Sequence, residues 1–279
     1  MQSVRAGLAT LEIGEGPPVV LIHGWAGFKE TWGRLPEALA AAGGRAIALD
    51  LPGVGDSPTP AGYRFGPYDA ADALIRLLDE LGPAPVVGHS LGAQPALIAA
   101  ARRPDRVRRV ALVGPQVVPP GRGRSGRWSA GGLPLTPWVG RPLTAAALAV
   151  ARRRPERRRR AYLSALADPG ELAGDPALVA MLEDAVRRLG RECPRSLAAA
   201  LHAGLRFDLR QVAPAVAQPA LVMVGERERV VHPGGAASLA DALPAGRLLL
   251  VPGAGHLPHV ERPDIALPAL VGHLMPGAA

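Results

Sequence analysis

The sequence predicts an α/β fold, a mainly parallel sheet with helices on both faces. Three observations carry that prediction. Short apolar runs alternate with stretches of helical periodicity; the pentapeptide Gly88-His89-Ser90-Leu91-Gly92 stands where such a run passes into a helix; and the alternation is interrupted once, by about a hundred residues of different composition. In chain order, residues 4–12 alternate like an edge hairpin. Runs at 19–22, 46–49, 85–88, 109–113, 220–225 and 247–251 read as buried strands, and helices are expected over 31–42, 68–81, 91–102, 234–243 and 263–274. A length of 279 residues with 48% hydrophobic content is enough for one substantial core. The expected division is a core of 1–114 and 211–279 interrupted by a helical lid at 115–210. Within the lid, prolines and glycines from Pro115 to Pro134 mark an irregular lead-in. Helical patterns follow near 143–153, 156–167, 176–189 and 195–205, with Pro155 and Pro176 suited to first turns.

The interrupted pattern places chemistry at the strand ends. In G-x-S-x-G the glycines at 88 and 92 omit side chains that would collide in a sharp turn, which exposes the Ser90 hydroxyl and points the Leu91 N–H at an oxyanion. A serine becomes a nucleophile only beside a base and donors for the charged oxygen. The run 19–22 ends in His23-Gly24-Trp25, a small-residue loop whose Trp25 N–H can serve as second donor. The run 247–251 ends in Pro252-Gly253-Ala254-Gly255-His256, which offers the base. Between them, the loop after 220–225 holds Glu226 and Glu228, either of which can orient the imidazole. The order serine, acid, histidine follows.

These motifs, together with the turn Asp50-Leu51-Pro52-Gly53-Val54-Gly55-Asp56-Ser57, resemble the α/β hydrolase family, in its serine esterase branch, over roughly residues 1–115 and 210–275. The resemblance implies Ser90 as nucleophile, His256 as general base and acid, and the N–H groups of Trp25 and Leu91 as oxyanion hole. It departs at Glu228, where the family usually has Asp; one extra methylene must be absorbed by the loop or the rotamer. Glu226 is the reserve acid. Asp208 is expected to cap or pair at the return from the lid. Epoxide hydrolase and dehalogenase chemistry is disfavoured, because those relatives carry Asp where this chain has Ser90.

Charge is unevenly distributed. The chain carries 32 basic and 24 acidic residues; Pro115–Arg210 holds seventeen Arg against eight Asp and Glu, leaving fifteen basic and sixteen acidic residues elsewhere. The whole +8 therefore resides in the lid, densest at Arg152–Arg160. One reading is a solvated face written in a composition biased to Ala, Gly, Pro and Arg. The other is a docking rim in which Arg157, Arg158, Arg159, Arg160 and Trp138 meet an anionic substrate or an acyl carrier protein. His-Gly-Trp and a basic lid are similar to the pimeloyl-carrier-protein methyl ester esterase type, which implies carboxylesterase activity on carrier-bound acyl groups. Thioesterase, lactonase and polyketide-tailoring activities share the same motifs, and a weakly catalytic binding protein on this scaffold is a further alternative. Nucleic acid is a weaker partner, since no aromatic residues interleave the arginines. The lone Cys193 reads as a helix-end thiol, and the histidines form no ligand-spaced cluster, so neither metal nor cofactor is expected. No run approaches a membrane span and no leader pattern opens the chain, which predicts a cytoplasmic protein.

Overall fold

The computed structural model describes residues 1–117, 140–172, 174–232 and 234–277. Eight strands, β1 (Gln2–Arg5), β2 (Leu8–Gly14), β3 (Pro18–Ile22), β4 (Arg45–Leu49), β5 (Ala84–His89), β6 (Val107–Val113), β7 (Ala220–Gly225) and β8 (Gly246–Val251), form one sheet in the order β1-β2-β4-β3-β5-β6-β7-β8. Only the β1–β2 and β2–β4 pairs are antiparallel, so the predicted edge hairpin and mainly parallel sheet both form.

Alternate residues of each central strand feed two separate cores. Val20, Ile22, Val86, Leu112 and Val222 pack under α2 (Pro67–Leu81), α3 (Ala93–Arg102) and α9 (Gly235–Ala242). Val19, Leu21, Val87, Val113 and Met223 pack under α1 (Leu35–Ala41) and α10 (Pro263–Leu274). With both faces covered, the strands need no polar side, which is why they read as continuous apolar runs. α2 shows the matching helical logic: Ala70, Ala73, Leu74, Leu77 and Leu78 form its buried stripe, and Asp69 accepts the Gly66 N–H at 3.0 Å. The helix expected over 31–42 starts only at Leu35. Ahead of it the Thr31 hydroxyl bonds back to the Phe28 carbonyl at 2.7 Å and Gly33 takes φ +58°, a local turn that competes with helix.

Between β6 and β7 the described chain forms α4 (Gly140–Arg152), α5 (Pro155–Leu163), the short α6 (Pro169–Leu172), α7 (Pro176–Leu189) and α8 (Pro194–Gly204). Proline occupies the first turn of α5, α7 and α8, and Asp175 caps α7 by accepting the Ala177 and Leu178 N–H groups. α5 stops at Leu163, four residues short of the predicted end, where residues 164–167 turn to bond His256 and Glu261 in the segment after β8. Among the described residues no helix is long and apolar enough to cross a membrane.

Candidate active site

Ser90 sits directly after β5, on the single turn that precedes α3, with φ +52°. A non-glycine residue tolerates that conformation only where its surroundings over-determine it. Here they do: a Cβ at Gly88 would lie 2.4 Å from the Gly92 carbonyl oxygen, and one at Gly92 would lie 2.4 Å from the Ile22 carbonyl oxygen. The chain can bend this sharply between strand and helix only with both side chains missing. The His23–Trp25 loop after β3 comes down on the same spot, so close that a Cβ at Gly24 would approach the Ser90 Cβ to 2.9 Å. Among the described residues the Trp25 N–H makes no loop hydrogen bond to a carbonyl.

The structure brings His256 and Glu228 together from loops that follow neighbouring strands. His256 Nδ1–H donates to Glu228 Oε2 at 2.7 Å, and both side chains are buried. This bond fixes the tautomer that leaves Nε2 with its lone pair, the form a general base requires. Glu228 Oε1 accepts the N–H groups of Val230 at 2.6 Å and Val231 at 3.2 Å. The loop after β7 thus curls round the carboxylate and absorbs the extra methylene. Burial works against the charged form, but the bonds from His256, Val230 and Val231 hold the Glu228 pKa below the usual carboxylate range. Glu226 instead accepts the Gly253 N–H at 3.0 Å at an exposed position, which makes it a loop fastener.

Three further histidines surround the pair. His89 donates from Nε2 to the His256 carbonyl at 3.1 Å, so the residue before Ser90 is tied to the residue that carries the base. Its ring lies 4.8 Å from that of His256 and 5.5 Å from that of His259. Burial, then the neighbouring His256 and His259, push the His89 pKa well down; burial also takes His259 to about 3. Both stay neutral. His23 donates from Nδ1 to the Gly24 carbonyl at 2.8 Å and accepts the Leu51 N–H at 3.1 Å, which braces the oxyanion loop.

One acidic side chain outside the predicted set proves central to the geometry. Glu261 Oε2 accepts the Gly255 N–H at 3.0 Å and Oε1 the Leu257 N–H at 3.0 Å, gripping the loop on both sides of His256. In the sequence it is only an acid two residues ahead of Pro263, and nothing local says which N–H groups its carboxylate meets.

The residues expected to form a docking rim fare differently from one another. Arg158 is buried and donates from Nε to the Val186 carbonyl at 2.8 Å, with a further short bond to the Arg152 carbonyl, so it ties α5 to α7 and to the end of α4. It is not free to meet a partner, which corrects the expectation for that residue. A guanidinium is wide enough to satisfy several helix-end carbonyls at once, and periodicity could not separate it from its neighbours. Arg159 is exposed and paired with Glu183 at 2.7 Å. Arg157 and Arg160 are exposed, with no carboxylate in ion-pair range among the described residues. Trp138 lies outside the described residues. Cys193 is exposed at the start of α8, and Asp208 caps the Arg210 N–H and pairs with its guanidinium.

A nucleophile elbow, a following-strand acid and a late histidine on this sheet define the α/β hydrolase class. The chain belongs to that family: the model of the alpha/beta hydrolase fold matches residues 17–263. It is 31% identical over 256 residues to a pimeloyl-[acyl-carrier protein] methyl ester esterase of Nitrosospira multiformis, covering 90% of this chain and 92% of that protein. A second esterase so described, from Chromobacterium violaceum, is 31% identical across 94% of this chain and 96% of its own. The fold also matches the enol-lactonase of Burkholderia xenovorans LB400, with a TM-score of 0.75, 23% identity and coverage of 98% and 99% of the two chains.

Proposed function

We propose that the chain hydrolyses carboxylic esters through an acyl-enzyme, with Ser90 as nucleophile, His256 as base and then acid, Glu228 as its orienting carboxylate, and the Trp25 and Leu91 N–H groups as oxyanion hole. The observation that carries this reading is the buried 2.7 Å bond between Glu228 and His256, on a loop tied to the nucleophile elbow by His89. In the first half-reaction His256 Nε2 takes the Ser90 proton as Oγ attacks the carbonyl carbon. The two N–H groups hold the charged oxygen, and the alcohol leaves with the proton from His256. Water then repeats the sequence on the acyl-enzyme and releases the acid. Side chains, backbone N–H groups and water supply every step.

For the substrate, the reading is an acyl group presented by an acidic carrier, and two features support it. The relatives at 31% identity are described as esterases of a pimeloyl-carrier-protein ester, and the lid of this chain exposes Arg152, Arg153, Arg154, Arg157 and Arg160 without acidic partners among the described residues. Such a field draws in an anionic protein and falls away with added salt.

The test is Ser90→Ala measured on p-nitrophenyl esters of two to twelve carbons. Turnover is expected to vanish, together with fluorophosphonate labelling, while the circular dichroism spectrum stays that of the parent. Retained turnover in this variant would refute the assignment.

A further inference from the structure

The segment that follows α5 touches both halves of the catalytic apparatus. At its start the Tyr162 hydroxyl makes a short bond to the Ala26 carbonyl, in the loop that carries Trp25, the proposed oxyanion donor. Three residues on, the Ala165 carbonyl accepts the His256 N–H at 2.9 Å. Two residues further, the Ala167 N–H donates to Glu261 Oε2 at 2.6 Å, the same carboxylate oxygen that holds Gly255. The approach is tight: a Cβ at Gly255 would lie 2.6 Å from the Ala167 nitrogen. Leu166, between these contacts, is buried. Residues 162–167 therefore form a strap spanning the oxyanion loop and the base loop.

What the strap holds at the oxyanion side is a strained conformation. Ala26 takes φ +61°, which a residue with a Cβ avoids unless held there. Two lid groups hold the loop: Tyr162 through the Ala26 carbonyl, and the Leu197 carbonyl through Trp25 Nε1 at 2.9 Å. We infer that Tyr162 is a positioning residue for the oxyanion hole, and that the lid, through the strap 162–167, fixes the spacing between the Trp25 N–H and His256. The inference rests on the proposed Ser90 hydrolysis. It goes beyond it by making the lid a structural part of the transition-state site rather than only its roof.

The test uses the full chain and p-nitrophenyl butyrate, with kcat expressed per active site titrated by a fluorophosphonate. Tyr162→Phe removes one oxygen and is expected to lower kcat by about tenfold with KM within about twofold, because only the developing oxyanion feels the displaced N–H. The labelling rate should fall in parallel. In an Ala26→Gly background, where positive φ carries no penalty, the same substitution should cost under about threefold. A per-site kcat within twofold of the parent, or an equal loss in both backgrounds, would overturn the inference. So would a variant whose only change is a smaller fraction of titratable sites. If the parent itself hydrolyses no ester and Ser90 takes no label, the nucleophile assignment fails and takes the strap with it; an active, labelled parent with an indifferent Y162F defeats the strap alone.

Discussion

At the scale of single residues, Glu228 is the carboxylate that would orient His256 as the base of the proposed reaction. Its carboxylate is held by two backbone N–H groups on one oxygen and His256 on the other. Glu228→Gln preserves shape but removes the charge and allows the wrong tautomer, and kcat on p-nitrophenyl esters is expected to fall by about 10³–10⁴ at unchanged KM. The same residue sets an acid limb of stability. Because its folded pKa lies below the ordinary carboxylate value, its stabilisation is complete above that value, about 4.3, and is lost as pH falls through the folded one. Thermal melts from pH 7 to pH 3 should therefore lose less Tm in E228Q than in the parent; equal losses would count against a charged Glu228.

At the scale of elements, the helices between β6 and β7 are joined to the loops of the sheet by a polar seam. Lys29, 1% exposed, bonds Asp50 at 2.9 Å and Asp56, while Arg188 of α7 reaches Glu30 at 2.8 Å, Asp56 at 3.2 Å and Asp184 at 2.8 Å. Glu192, ahead of α8, accepts the Gly55 N–H at 3.0 Å. Burial, and then Asp50 and Asp56, raise its pKa. A raised carboxyl favours the folded state below its unfolded pKa, and that advantage is lost as pH rises through the folded value. Glu192→Gln keeps an oxygen for Gly55 and removes the buried charge. Its Tm at pH 8 is expected to exceed that of the parent by about 2 °C, and the gain should shrink toward pH 4. A lower Tm at pH 8 would show that the charge is a net asset to the seam.

At the scale of the whole molecule, charge is sorted by segment. Residues 115–210 carry a surplus of nine positive charges, seventeen against eight, while the rest of the chain is close to neutral. Arg157 and Arg160 together mutated to Ala should weaken retention on an immobilised acyl carrier protein several-fold at low salt, leaving p-nitrophenyl acetate turnover unchanged. Added salt should weaken the parent in the same direction. Unchanged, salt-independent retention would return these arginines to solvent-facing charge.

The fold was legible because its signals are local. A strand buried on both faces needs an unbroken apolar run, and a serine on a strained turn needs small neighbours, so β3 to β7 and the elbow can be read off adjacent letters. The sequence by itself determined the sheet, the family, and which four loops gather at the strand ends. Only the tertiary structure pairs Glu228 rather than Glu226 with His256, since both lie in one loop and the curl through Val230 and Val231 turns one inward. It alone separated Arg158 from Arg157 and Arg160, and gave Glu261 and Tyr162 their places beside His256 and Ala26. The Glu228–His256 and Arg158–Val186 bonds join groups 28 residues apart and the Tyr162–Ala26 bond groups 136 apart, and no local pattern encodes the direction in which a polar side chain finds such a partner.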